Sequence, residues 1–412
     1  MAEKNLKKGG GAMLRNLFLI FLASYSCCSF ASPDVFKIYF DADRTGHLES
    51  AMSIEQGVKV AFAQRDNKLS GIPVKFVTLD HRGNVRRSKK NMDKFLQDPN
   101  AIAFVGGLHS SPLIKYRDFI NESKLLTLVP WAAGGPITRY PSKDNFVFRL
   151  SVDDHKVGKH LVDFALQQQC VKPHMLLENT AWGKSNYQSI SSALKDDSLK
   201  ETEVTWFSWG INTVQARLLL EGIKNEKADC IFMVAGAREG ALLVKAVADL
   251  NLNISIYSHW GISGGDFAQT VPFEIRNKAN LHFIQSCFNF YSSAENAFNM
   301  QVFDDAKRMF PVQFKSHNIK APAGFVHGYD LASVFINAAQ HVKFSDDIVD
   351  NRIAMKTALE SSYAPVNGLI KKYNVPFSEF TRDKPDAHEA LDNGDLCMAI
   401  YDDMNAVKLI EK

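Results

Sequence analysis

Four short stretches hold the residue types that grip small molecules: "GGLHSSP" (106–112), "VPWAAGGP" (129–136), "ENTAWGKS" (178–185) and "YSHWGISGG" (257–265). Each follows an apolar run, so each reads as a loop at the carboxyl end of a strand. The first two are rich in glycine, alanine and serine. Backbone N–H groups can approach a ligand closely there, and the N-terminus of a following helix favours an anion. His109, Ser110, Ala132 and Ala133 are the candidate contacts from this side. The other two stretches bring Trp182 and Trp260 as an apolar lid, while Glu178, Arg238 and Glu239 supply charge near the mouth. Reading "SHWG" one residue earlier puts His259 in the pocket instead.

Reaction chemistry finds less support. "GISGG" satisfies G-x-S-x-G around Ser263, but a nucleophile elbow needs a long helix after its turn, and here "DFAQTV" runs straight into Pro272. "HEA" at His388 lacks the second histidine of a zinc helix, and neither a P-loop nor a dinucleotide glycine pattern appears. No catalytic residue, cofactor or metal is therefore expected. Plainer roles stand beside the binding ones: Ser110 and Ser111 as helix caps, the tryptophans as partly buried aromatics, and His109 as a structural polar residue.

The loops need a scaffold, and the hydrophobic rhythm supplies one. Strands at 35–40, 73–80, 101–107 and 124–130 alternate with helices at 50–65, 84–97 and 112–123. From 148 the same alternation resumes, with helices at 155–169, 185–196, 212–226 and 239–251 and strands at 174–179, 202–209, 228–236 and 254–260. Repeated βα units predict parallel sheets covered by helices, hence an α/β protein of two Rossmann-like lobes with ligand at the strand ends. Helices at 328–342 and 348–361 and strand-like segments at the end complete the chain.

The 412-residue chain begins with Lys4, Lys7, Lys8 and Arg15 before "LFLIFLA" and the small residues "SYSCCSFAS". That is the pattern of a secretory signal peptide over 1–31, cleaved before Ser32, with Met1 or Met13 as the start. Those four basic residues against Glu3 account for the whole-chain charge of +3, so the exported remainder is near neutral. No basic stripe suggests nucleic acid, and no later segment is apolar enough to span a membrane. Cys170, Cys230, Cys287 and Cys397 enter a compartment that permits disulfides, but their wide spacing fixes neither pairing nor a metal pattern.

The succession "IYFDADRTG", "SGIPVKFVTLDHRGN", "FVGGLHSS", "LVPWAAGGPITR", "NFVFRLSVDDHKVG" and "NTAWGKS" resembles the type I periplasmic solute-binding proteins of ABC importers, on the leucine/isoleucine/valine and amide-binding branch. The resemblance implies lobes of 32–148 plus about 284–390 and of 149–283 plus about 391–412, joined by a three-strand hinge crossing near Arg149, Phe283 and Leu391. It places Ser110 and Ala132 at a ligand's carboxylate and amine. Ala133 stands where the family often has threonine, Trp182 where it has tyrosine, and Trp260 where an acid meets the ligand's ammonium. These departures favour a carboxylate or amide with an apolar body over an ordinary amino acid. The implied function is that of a monomeric periplasmic binder delivering an amino-acid-like, amide or carboxylate ligand to an ABC permease. The alternatives are a sensing module that signals through a membrane receptor and a secreted serine hydrolase.

Overall fold

Central strands of this chain are apolar along their whole length, as strands must be when both faces of a sheet are covered. The computed structural model describes residues 33–196, 202–288, 296–315, 319–361 and 363–410, and in it "AIAFVG" and "CIFMV" are buried throughout. The leader expected over 1–31 lies outside the described residues. Among those residues no helix is long and apolar enough to cross a membrane.

The first lobe is laid down by β1 (Phe36–Ala42), α1 (Leu48–Ala63), β2 (Lys68–Leu69), β3 (Ile72–Asp80), α2 (Val85–Gln97), β4 (Ala101–Gly106), α3 (Ser110–Lys115), α4 (Arg117–Glu122), β5 (Thr127–Val129) and β6 (Val147–Arg149). Its sheet runs β2-β3-β1-β4-β5-β6, parallel except where β2 meets β3. The second lobe follows with α5 (Asp154–Gln167), β7 (Pro173–Glu178), α6 (Ala181–Asp196), β8 (Val204–Phe207), α7 (Thr213–Asn225), β9 (Cys230–Val234), α8 (Ala237–Asp249), β10 (Ser255–Ser258), α9 (Phe267–Thr270), α10 (Phe273–Lys278) and β11 (Leu281–Ser286). The chain then returns to the first lobe as α11 (Ala297–Met309), α12 (Pro322–Ala339) and α13 (Ile348–Leu359), with α12 against α1 and α13 against β4. After the ribbon β12 (Val366–Asn367) and β13 (Lys372–Tyr373), strands β14 (Leu396–Tyr401) and β15 (Val407–Leu409) close the second sheet in the order β15-β14-β11-β10-β9-β7-β8. The last two are antiparallel.

Local chemistry sets these elements. Asn84 caps α2 by accepting the N–H groups of Arg86 and Arg87 at 3.0 and 3.1 Å. Helices α1 and α12 cross closely because Gly57 offers no Cβ; one placed there would lie 2.1 Å from the Phe325 carbonyl oxygen.

Three segments cross between the lobes. The first and third are paired: Arg149 donates its N–H to the His388 carbonyl at 2.9 Å, and Ala390 donates to the Arg149 carbonyl at 3.0 Å. The second leaves β11 after Ser286, a few residues later than Phe283, and Cys287 is bonded there to Cys397 of β14. The other disulfide joins Cys170 to Cys230.

Several boundaries differ from those expected. The helix over 112–123 divides at Tyr116 into α3 and α4, and α3 already begins at Ser110. Strand β5 starts at Thr127, since Lys124 takes a left-handed turn conformation at φ 53°. Helix α6 begins at Ala181 rather than Ser185. Its first turn folds back onto β7, with Gly183 so close to the Glu178 carbonyl that no side chain fits.

Candidate functional site

The strand ends of both lobes meet at a cleft of about 500 Å³, part of it open to solvent. His109 comes from the loop after β4, Ser110 and Ser111 from the first turn of α3, Trp131 and Ala133 from the loop after β5, and His47 from the loop after β1. The second lobe contributes Glu178 and Trp182 after β7, Trp209 after β8, Gly236 and Glu239 after β9, and Trp260 and Gly261 after β10. Six of the eight contacts expected from sequence therefore share one cleft, together with Glu178.

The other two lie elsewhere. Ala132 is fully buried in the first lobe, where its carbonyl accepts from the Arg149 guanidinium at 3.2 Å. Arg238 projects to solvent from the first turn of α8, while Glu239, one residue on, turns inward. On a helix successive side chains diverge by about 100°, so only one of the two can face the cleft.

Two amides of the loop after β5 are already engaged within the protein. Gly134 donates its N–H to Ser110 Oγ at 3.0 Å, and Gly135 donates to Ser185 Oγ in α6 of the second lobe at 3.0 Å. Ser110 makes no capping bond to its own helix; His109 holds the N-cap position.

Aromatic contacts bring the lobes together. Trp131 packs on Trp260 with ring centroids 5.3 Å apart, and His109 packs on Trp209 at 4.9 Å. Trp260 is almost wholly buried and also rests on His327 at 5.0 Å, so it forms the floor of the cleft rather than an open lid. Trp182 presses against Gly261, where an added Cβ would sit 2.5 Å from the ring. Its indole N–H donates to Asp154 Oδ1 at 3.1 Å, an oxygen that also lies 2.9 Å from His259 Nε2.

This last pair bears on Ser263. His259 has both ring nitrogens engaged, since Nδ1 accepts the Trp260 N–H at 2.8 Å. The Ser263 hydroxyl donates to the Trp260 carbonyl at 2.7 Å, within a single 3-10 turn. The next helix, α9, has only four residues, whereas an elbow runs into a long helix.

The polar groups of the cleft are mainly acceptors. Glu178 accepts from Thr180 Oγ1 at 2.7 Å and from Trp209 Nε1 at 3.1 Å. Burial pushes its carboxyl up to about 7; the two hydrogen bonds oppose this and neighbouring Glu239 adds to it. Glu239 accepts the Gly210 N–H at 2.9 Å. In the first lobe Asp43 Oδ2 lies 3.1 Å from His47 Nδ1 and 3.4 Å from His109 Nε2. Burial alone would raise the Asp43 carboxyl, but the hydrogen bonds of His109, His47 and the Gly46 N–H hold it well below its ordinary value. Burial pushes His109 down despite Asp43. Asp43, His47 and Trp209 were missed in the sequence because the loops after β1 and β8 contain no glycine-rich or serine-rich signal.

Cys170, Cys230 and Asp229 lie close together but are not a metal ligand set, because the two sulfurs bond each other.

The same architecture recurs in solved structures. A solute-binding protein of an ABC transporter from Rhodopseudomonas palustris, in complex with benzoate, superposes with a TM-score of 0.74 at 16% identity over 91% of this chain and 95% of that one. A leucine-binding protein from Thermotoga maritima gives 0.71 at 16% over 91% and 98%. A fatty acid ABC transporter substrate-binding protein from Thermomonospora curvata gives 0.69 at 14% over 93% and 92%. At such identities the likeness speaks to the fold. No curated protein matches in sequence. The family model described as periplasmic binding protein matches residues 40–389, and with the two sheets and the cleft between them this chain belongs to the type I periplasmic binding proteins.

Proposed function

We propose that this protein captures a small solute with a hydrogen-bond-donating head, an amino acid or an amide, and an apolar or aromatic body, and delivers it outside the cytoplasm to an ABC permease. One observation carries the reading: Glu178 and Glu239 face the same cleft as Trp131, Trp182, Trp209 and Trp260. Two acceptors favour N–H groups, and an ammonium gains further from indole faces. A bare carboxylate meets like charge at Glu239, so the earlier preference for carboxylates gives way to donors. The solved neighbours carry benzoate, leucine-binding and fatty-acid transport in their descriptions, so the architecture tolerates apolar bodies of several shapes.

The lobes, taken as 32–148 with about 284–390 and as 149–283 with about 391–412, move about the three crossing segments. Solute closes them because contacts from both sides must reach one molecule. Export removes residues 1–31. A thermal-shift panel of amino acids, amides, benzoates and fatty acids tests the reading. Solute at a hundred times its dissociation constant stabilises by about 2.7 kcal/mol. Amino acids or amides are expected to raise the melting temperature most. A shift from benzoates or fatty acids alone would overturn the assignment of the head group.

A further inference from the structure

We propose that Asp43, His47 and His109 form a binding site for a divalent transition-metal ion at the mouth of the cleft. The three side chains come from two loops, after β1 and after β4, and converge on Asp43 Oδ2. One donor atom from each lies within 4.8 Å of the others. Zinc bonds of about 2.0–2.1 Å to imidazole nitrogen and carboxylate oxygen bring such atoms to roughly 3.4 Å of one another in a tetrahedron. The Asp43 oxygen already lies 3.1 and 3.4 Å from the two nitrogens, so binding requires the rings to approach each other and each facing nitrogen to present its lone pair.

The surroundings are those of a held ligand set. Asp43 Oδ1 accepts the Gly46 N–H at 2.8 Å, which fixes the carboxylate and leaves Oδ2 aimed between the imidazoles. His109 is clamped between Trp209, at 4.9 Å, and His81, at 5.6 Å between ring centroids. His47 and His109 meet edge to face at 4.9 Å. The other nitrogen of His47, Nε2, lies near Gly236 of the second lobe. It and Glu239 Oε2 each lie 3.6 Å from the point where a Cβ of Gly236 would sit.

Charge points the same way. Asp43 is nearly buried, and among the described residues no lysine or arginine pairs with it. The nearby Arg44 is held by Glu55, and Arg82 lies beside Asp80. Two imidazoles and one carboxylate leave a fourth position open toward the cleft, and such a nitrogen-rich set selects zinc, copper or nickel over calcium or magnesium. The inference does not depend on which solute the cleft accepts.

The test uses the metal alone, with no solute present. Full-length exported protein, stripped with chelator and dialysed, is titrated calorimetrically with Zn²⁺ at pH 7.5. One ion per chain is expected, with at least tenfold weaker binding in both His47→Ala and His109→Gln, each first shown by melting to be folded. Because either variant can disturb the loops, Co²⁺ is added to unmodified protein in parallel. A visible ligand-field band that zinc abolishes is expected, and Cu²⁺ should quench Trp209 fluorescence, a signal lost in Trp209→Phe. Absence of Zn²⁺ binding at millimolar metal overturns the proposal. So does unaltered affinity in both histidine variants, which would place the ion elsewhere. A failed solute screen leaves this result standing, and the reverse also holds.

Discussion

Two clusters of buried charge in this protein are finished in opposite ways. At the hinge, Arg149 is completely buried and donates from Nε to Glu389 at 2.8 Å, from Nη2 to Asp153 at 2.8 Å and from Nη1 to the Gly134 carbonyl at 2.8 Å. Arg139 adds a second cation on Asp153, and Thr138 donates to Glu389. Two cations face two anions, and the residues come from both paired crossings. In and beside the cleft, Asp43, Glu178 and Glu239 accept hydrogen bonds from imidazole, hydroxyl, indole and amide groups but, among the described residues, from no lysine or arginine. The paired crossings complete their electrostatics internally, as the pivot of the proposed closure would need to. The cleft retains acceptor capacity for something that arrives from solution.

The largest expected effect separates the two clusters directly. Arg149→Met leaves Asp153 and Glu389 buried without their main partner and should cost about 3–5 kcal/mol of stability. Glu239→Gln keeps an oxygen for the Gly210 N–H and should cost less than about 1 kcal/mol. Guanidinium unfolding of both variants measures the difference. Equal losses would erase the distinction between pivot and cleft.

Next comes pH. Glu178 is raised from 4.5 to about 7 by burial, so the folded protein holds its proton where the unfolded chain has released it. Its contribution to stability is fully present below pH 4.5 and is lost as pH rises through 7, by about 3 kcal/mol for a shift of that size. Asp330 behaves alike: burial raises it to about 7 against hydrogen bonds from the Leu369 and Ile370 amides and Tyr373. Urea midpoints between pH 4.5 and 8 should therefore fall with pH, and Glu178→Gln should remove the cleft's part of that slope while Asp330→Asn removes the other. An unchanged slope in Glu178→Gln would mean that the cleft carboxylate is ionised throughout.

How far the sequence disclosed this arrangement depended on whether the signal was local. The helix "VRRSKKNMDKFLQ" follows from its periodicity and the strand "AIAFVG" from a short unbroken apolar run that ends in glycines, because each signal lies within a single element. The loops carrying Ser110, Ala133, Trp182 and Trp260 were legible because they end strands in residues that permit close approach. Arg149 was marked only as a crossing point. Its partner Glu389 lies 240 residues away, and no spacing rule links them. The same holds for Asp43 with His109 and for both disulfides, where only the folded chain fixes which groups meet. Glu239 was separable from Arg238 only once the phase of α8 against the cleft was known.

The smallest effect concerns Ser110, where the sequence allowed a grip on the ligand's head or a helix cap and the structure shows a tie between loops. Its Oγ accepts the buried Gly134 N–H, joining the loop after β4 to the loop after β5. Removing the oxygen in Ser110→Ala strands that amide without water or partner, so stability should fall by about 1–2 kcal/mol. The hydroxyl hydrogen remains free to meet a solute, but a single neutral contact is worth about 1 kcal/mol net, and affinity should weaken by no more than several fold. Melting curves and isothermal titration on the same preparation separate the two effects. A lowered melting temperature with nearly intact affinity assigns Ser110 to the frame of the cleft. Intact melting with a hundredfold loss of affinity would show that the head of the solute rests on Ser110, and that the small-residue loops of the first lobe, rather than the carboxylates opposite, anchor it.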